Sequence, residues 1–118
     1  MSESARIACY REFWPFYLRQ HANPTTRVWH IAGTGAASVF LLAAILTFSY
    51  ALLIAALMAG YGPAWIAHFF VEKNRPATFR YPLWSLISDY RMAAAWIAGT
   101  LGRELEKAGV AGTARPQD

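Results

Sequence analysis

Apolar and polar positions are unevenly divided along this chain. Residues 28–71 are 44 in number and include no Asp, Glu, Lys or Arg. About 20 apolar residues carry one helix across the hydrocarbon core of a bilayer. The run is therefore long enough for two crossings joined by a tight turn, and Phe48-Ser49-Tyr50 is the predicted turn. The pattern predicts one helix over about residues 26–47 and a second over about 51–72. Gly33, Thr34, Gly35, Ala36, Ala37 and Ser38 make the first helix small-sided, which suits close helix packing in a membrane. Gly60, Gly62 and Pro63 interrupt the second and predict a kink.

The flanks read as amphipathic helices. Ile7, Tyr10, Phe13, Trp14, Tyr17 and Leu18 recur at helical spacing, with Arg6, Arg11, Glu12 and Arg19 on other faces. This predicts a helix over about 4–20, with Ser4 placed to cap it. Pro15 lacks a donor and predicts a kink or break near Phe13. An aromatic, basic segment of this kind suits a membrane surface. His21-Ala-Asn-Pro-Thr is a predicted turn, because Pro24 disfavours helix at Asn23, and Thr25 or Thr26 can cap the next helix. Asn74-Arg75-Pro76 ends the second apolar helix, and residues 77–82 form a loop. The last helix is expected over about 83–107. Its charges Asp89 and Arg91 favour a surface or partly embedded position over a full crossing. Residues 1–107 make one domain and 108–118 a disordered tail. The expected fold class is all-α: a small membrane helical bundle, with a two-helix transmembrane hairpin flanked by amphipathic or partly embedded helices.

Composition sharpens this picture. Of 118 residues, 56% are hydrophobic and 15% charged, against about 25% charged in an ordinary soluble domain. The residues outside the run are too few to wrap it in water. The net charge of +4 is split between the flanks. Arg6, Arg11, Arg19 and Arg27 precede the apolar run; Lys73, Arg75, Arg80 and Arg91 follow it. Positive residues stay cytoplasmic, and two crossings return both flanks to one side. An integral membrane protein with cytoplasmic termini follows, in a bacterial inner membrane or an endoplasmic reticulum. There is no nucleic-acid motif, and none is expected as a partner. Cys9 stands alone, so no intrachain disulfide forms. The N-terminus has no apolar core and does not read as a signal peptide.

The chemistry gathers at the mouths of the run, where all three histidines lie: His21, His30 and His68. His68 and Glu72 are four apart, hence on one helical face. His30 is near the start of the preceding helix, and a hairpin brings that start beside the end of the next. His21 can fold back to the same end. Three imidazoles and a carboxylate suit Fe(II), Zn(II) or Mn(II). The plainer reading makes the histidines hydrogen-bonded interfacial residues, although ionisable groups at membrane depth are usually functional. Glu72 has an alternative as an ion pair with Lys73, Arg75 or Arg80. Asn23 is a turn residue or a partner orienting an imidazole. Arg75 is a carboxylate clamp or a snorkelling charge. Asp89, Tyr90 and Arg91 make a polar cluster or a solvated face. Two other functions compete: a haem protein with His30 and His68 as axial ligands, and a non-catalytic module that binds lipid or a partner.

The motif H-x-N-P-x5-H (His21, Asn23, Pro24, His30), followed by H-x3-E-K-x-R-P-A (His68, Glu72, Lys73, Arg75, Pro76, Ala77), resembles the 2-hydroxy fatty acid dioxygenases, small membrane proteins of fatty acid α-oxidation. The resemblance covers roughly residues 17–92. This chain is a short form, and Ala67 stands where the family often has Gly. The resemblance implies an Fe(II) cofactor held by His21, His30 and His68, with Glu72 as a fourth ligand or supporting partner. It implies Lys73 or Arg75 as the partner of the substrate carboxylate. The implied reaction takes a 2-hydroxy fatty acid and O2 to a fatty acid one carbon shorter, with release of CO2.

Overall fold

The computed structural model describes residues 6–110. They form five helices and no strand: α1 (Tyr10–Arg19), α2 (Pro24–Thr47), α3 (Tyr50–Ile66), α4 (Pro82–Ala98) and α5 (Leu101–Lys107). A π-helical turn, Ala67–Glu72, continues α3, and a 3-10 turn, Ala77–Phe79, precedes α4.

The apolar run folds into the expected hairpin of α2 and α3. Asn23, not Thr25 or Thr26, caps α2: its side chain accepts the Thr25 N–H at 2.8 Å. Pro24 holds Asn23 in extended backbone and supplies the first helical residue, so the helix starts two residues earlier than expected. Phe48 takes a left-handed conformation, and the Ser49 side chain accepts the Leu52 N–H at 3.2 Å to start α3. Small residues bring the two backbones together. A Cβ added at Gly33 would stand 2.8 Å from the Ala59 carbonyl oxygen, and one at Gly60 would stand 3.3 Å from the Ala37 Cβ. Pro63 removes the donor that the Ala59 carbonyl would otherwise receive, and Gly33 packs on that same carbonyl. Gly60, Gly62 and Pro63 leave α3 unbroken; the winding loosens only at Ala67.

The outer surface of the hairpin stays bare. Val39, Leu42, Leu46, Ile54 and Met58 are each more than half exposed. α2, and α3 together with its π turn, are long and apolar enough to cross a membrane, yet only 22% and 17% of their apolar windows are buried. A core helix of a soluble protein would be mostly buried.

The packed core lies outside the hairpin, among α1, α4 and α5. Phe13, Trp14, Tyr17, Leu18, Tyr81, Met92, Leu101 and Leu105 form it. Three expectations change here. The first helix begins at Tyr10, after an extended Cys9, not at residue 4; the supposed cap Ser4 lies outside the described residues. Pro15 sits inside α1 without breaking it, because Phe13 and Trp14 before it and Tyr17 and Leu18 after it are all buried in one core. The last helix is two helices. Gly99 turns left-handed (φ 79), a conformation cheap only for glycine, and α5 folds back onto α1, where Trp14 Nε1 donates to Glu104 Oε1 at 2.9 Å. The first part of the expected tail is also packed: Ala108 and Val110 are buried, and the Val110 N–H donates to the Leu105 carbonyl at 3.0 Å. Residues 111–118 lie outside the described residues.

The close approach at Gly33 is testable. Gly33→Val forces a branched side chain against backbone and should cost about 1–3 kcal/mol. Gly35 has open space around it, so Gly35→Ala should leave the melting temperature unchanged or raised. Thermal unfolding of both variants in detergent checks the contrast.

Candidate metal centre

His21 follows α1, His30 is on α2 and His68 is in the π turn. Each comes from a different element, and all three are buried. One ring nitrogen from each lies within 4.8 Å of the others. His68 Nε2 is 3.1 Å from His21 Nε2, which is 3.4 Å from His30 Nδ1.

The opposite ring nitrogens fix the tautomers. His21 Nδ1 lies 2.8 Å from the Tyr17 carbonyl oxygen, which only accepts, so this nitrogen carries the proton. His30 Nε2 donates to Asp89 Oδ1 at 2.6 Å. His68 Nδ1 donates to Asn74 Oδ1 at 2.7 Å, and Asn74 Nδ2 donates to the Gln20 carbonyl at 3.2 Å. In its neutral form each imidazole is thus a donor on its outer side and turns a bare lone pair inward. Three lone pairs at such distances repel one another unless a cation lies between them. Metal-binding histidines are regularly held by outer acceptors in this way. A cavity of about 20 Å³, whose walls include the three histidines, Tyr17, Ser85 and Asp89, admits one water-sized body.

Local sequence explains each placement. Arg27 Nη1 donates to the His21 and Ala22 carbonyls at 2.7 and 3.0 Å, closing the turn between α1 and α2. The π turn carries hydrogen bonds to the fifth residue and beyond, so the His68 carbonyl accepts the N–H groups of Lys73 and Asn74. This winding swings the Asn74 side chain back onto His68. Single π turns inside helices are frequent at functional sites.

Asp89 is the anion of the centre. Its Oδ1 also accepts the Tyr17 hydroxyl at 2.6 Å. Burial, and next the Asp89 charge, push the Tyr17 phenol well above its ordinary pKa, so it stays a donor. Burial, followed by the neighbouring imidazoles, holds the His21 pKa well below the usual value, which keeps this ligand candidate neutral.

Not every expected site residue joins the three histidines. Glu72 accepts the Asn23 N–H instead. The π winding explains this: the residue stacked under His68 is no longer the fourth one on. Glu72 therefore ties the end of the π turn to the start of α2. Asn23 spends its side chain on the α2 cap, and Asn74 is the amide that orients an imidazole. Lys73, left-handed at φ 63, and Arg75 are exposed, and neither lines the cavity. Spacing marks Asp89 only as part of a polar cluster or solvated face with Tyr90 and Arg91, and it places neither Asp89, Tyr17 nor Asn74 beside the imidazoles. The available signal for Asp89 was an acidic residue within an otherwise apolar helix face.

The model of the 2-hydroxy-palmitic acid dioxygenase Mpo1-like family matches residues 7–101. The chain belongs to that family. The matched stretch contains α1 to α4 and every residue of the histidine centre. The name of the Mpo1-like family denotes a dioxygenase of a 2-hydroxy fatty acid. No curated protein and no solved structure matches the chain.

Two outcomes follow from this geometry. Asp89→Asn removes the charge behind His30 and should weaken binding of a divalent metal about 10–100-fold, read by anaerobic titration with Fe(II) or Co(II). In metal-free protein, His21 is neutral when folded but takes up a proton when unfolded below about pH 6.5. The unfolded state then binds more protons, so stability should fall as pH drops through 6.5 and level off above it. Melting temperatures from pH 5 to 8 report this.

Proposed function

We propose that the protein is an iron(II)-dependent dioxygenase acting at a membrane interface. It takes a 2-hydroxy fatty acid and O2 to a fatty acid one carbon shorter, CO2 and water. The observation that carries the reading is the set of three inward lone pairs with locked tautomers, in a chain of the Mpo1-like family.

His21 Nε2, His30 Nδ1 and His68 Nε2 would hold the iron. Glu72 is better read as a tether than as a fourth ligand, because its carboxylate is engaged by the Asn23 N–H. Bound iron(II) supplies the open coordination positions and redox chemistry that activate O2. The chain supplies the rest. Asp89 accepts the hydrogen bond of the His30 Nε2–H and so raises the basicity of the inward nitrogen. Tyr17 shares the same carboxylate oxygen and keeps Asp89 from turning away. The Asn74 bridge between His68 and the Gln20 carbonyl ties the π turn to the end of α1. Burial of all three imidazoles keeps bulk water from the reacting atoms. Lys73 and Arg75 line neither this cavity nor the adjoining groove, so they are not assigned to the substrate carboxylate.

The membrane setting rests on the bare apolar surface of α2 and α3. His30 is six residues into α2, about 9 Å along its axis. The centre would lie just inside the mouth of the hairpin, on the side of the basic flanks, where an amphiphilic acid reaches it from the bilayer. A haem reading finds no support. The His30 and His68 rings stand 5.8 Å apart with His21 packed against both, and no macrocycle fits between them.

Anaerobically purified wild-type protein should carry close to one iron per chain, show no Soret band, and release CO2 from 2-hydroxypalmitic acid under O2. His68→Ala should lose both iron and turnover. Wild-type protein that takes up no iron even after anaerobic Fe(II) addition would end the enzyme reading and leave a lipid-binding module.

A further inference from the structure

Two features lie beside the histidines. The first is an apolar groove of about 260 Å³ between α2, α3 and α4. Leu41, Leu53, Ala56, Leu57 and Leu86 line it. It adjoins the histidine cavity, for Gly60, Tyr61, Thr78 and Asp89 line both. Gly60 and Ala37 on its wall bring α2 and α3 close together: a Cβ at Gly60 would stand 3.3 Å from the Ala37 Cβ. From Gly60 back to Leu53 the groove follows α3 for seven residues, about 10 Å. The second feature is Ser85, one turn before Asp89 on α4. Ser85 lines the histidine cavity, is 4% exposed, and its Oγ has no hydrogen-bond partner among the described residues. A buried hydroxyl without a partner carries a desolvation cost, so it is either strained or reserved for a ligand.

We infer that this groove is the seat of the substrate's alkyl chain. The polar end of the acid lies toward the histidines, where Ser85 Oγ donates to one of its oxygens. The chain runs past Gly60 and along Leu57 toward Leu53. This rests on the dioxygenase reading for the identity of the head group. The argument for an alkyl chain is the pairing itself: one of two adjoining spaces carries the imidazoles, Tyr17 and Ser85, and the other is walled mainly by leucine and alanine. A flexible apolar chain with one polar end matches both. Leu57, close to the centre, and Leu53, farther out, then set how long a chain is accepted.

The test uses the full chain in phospholipid nanodiscs. The probe is 2-hydroxypalmitic acid bearing a diazirine at the far end of its chain. Irradiation followed by peptide mass spectrometry should place adducts on Leu41, Leu53 or Leu57, and excess unlabelled 2-hydroxypalmitic acid should suppress them. Leu57→Trp should cut these adducts about tenfold and shift the preferred substrate to shorter acids. Leu53→Trp should exclude only the longest. Ile54→Trp, on the bare outer face, should match wild type. Ser85→Ala should raise about tenfold the concentration of unlabelled acid needed for half-suppression, while suppression by hexadecane stays unchanged. Adducts on the outer face of the hairpin, or adducts that unlabelled acid does not suppress, would mark ordinary bilayer contact and overturn the assignment. So would wild-type labelling in both groove tryptophan variants. The two readings fail separately. Groove adducts suppressed by the acid in protein that neither binds iron nor turns over would leave the groove and end the dioxygenase. Full turnover with no groove adducts would do the reverse.

Discussion

Three buried imidazoles face one another with their lone pairs, and the rest of the molecule is arranged to keep them so. Nitrogens 3.1 and 3.4 Å apart would turn outward if their rings were free. Each is prevented by an acceptor on its far side, and the three acceptors differ in kind: a backbone carbonyl, a carboxylate and an amide oxygen. The backbone carbonyl is set by α1, the carboxylate by α4 and the amide by the loop after the π turn. A centre built from α2, the π turn and His21 just beyond α1 is therefore locked by three further contacts.

This requirement accounts for the division of the fold. The hairpin has almost no core of its own and exposes large side chains along its length. Close backbone contact at Gly33 and Gly60 holds it together. The aromatic core of α1, α4 and α5 is conventional in its packing, with Phe13 and Tyr81 rings 5.2 Å apart and the Arg91 guanidinium 4.1 Å over Trp14. The histidines stand where the two parts meet. The rigid base fixes Tyr17 and Asp89, and the hairpin brings in His30 and His68.

Much of this was legible in the chain. The charge-free run and its Phe48-Ser49-Tyr50 turn specify two antiparallel helices, because no other arrangement of 44 such residues satisfies the backbone in an apolar setting. Antiparallel helices necessarily bring position 30 near position 68. The histidine cluster was thus readable from connectivity. The helix ends were less so. Caps are decided by single side chains: Asn23 prevailed over Thr25 and Thr26 because Pro24 constrains its backbone, and Gly99 splits the last helix because it alone there adopts positive φ cheaply.

The partners of the imidazoles were not legible, for a physical reason. Spacing assigns neighbours only while the winding is regular. At Ala67 the helix loosens into a π turn, so the four-residue rule that paired His68 with Glu72 no longer applies. Asn74 took the place beside His68, and Glu72 went to the backbone of Asn23. Asp89 is 59 residues from His30 in sequence, and no local pattern connects them. By itself the sequence determined the hairpin, the convergence of three histidines and the family motif, since these follow from hydrophobic length and chain direction. Only the tertiary structure decided which nitrogen of each ring turns inward, which carboxylate stands behind His30, and where the space for a ligand opens. Those depend on contacts between distant elements, and such contacts exist only once the core of α1, α4 and α5 has formed.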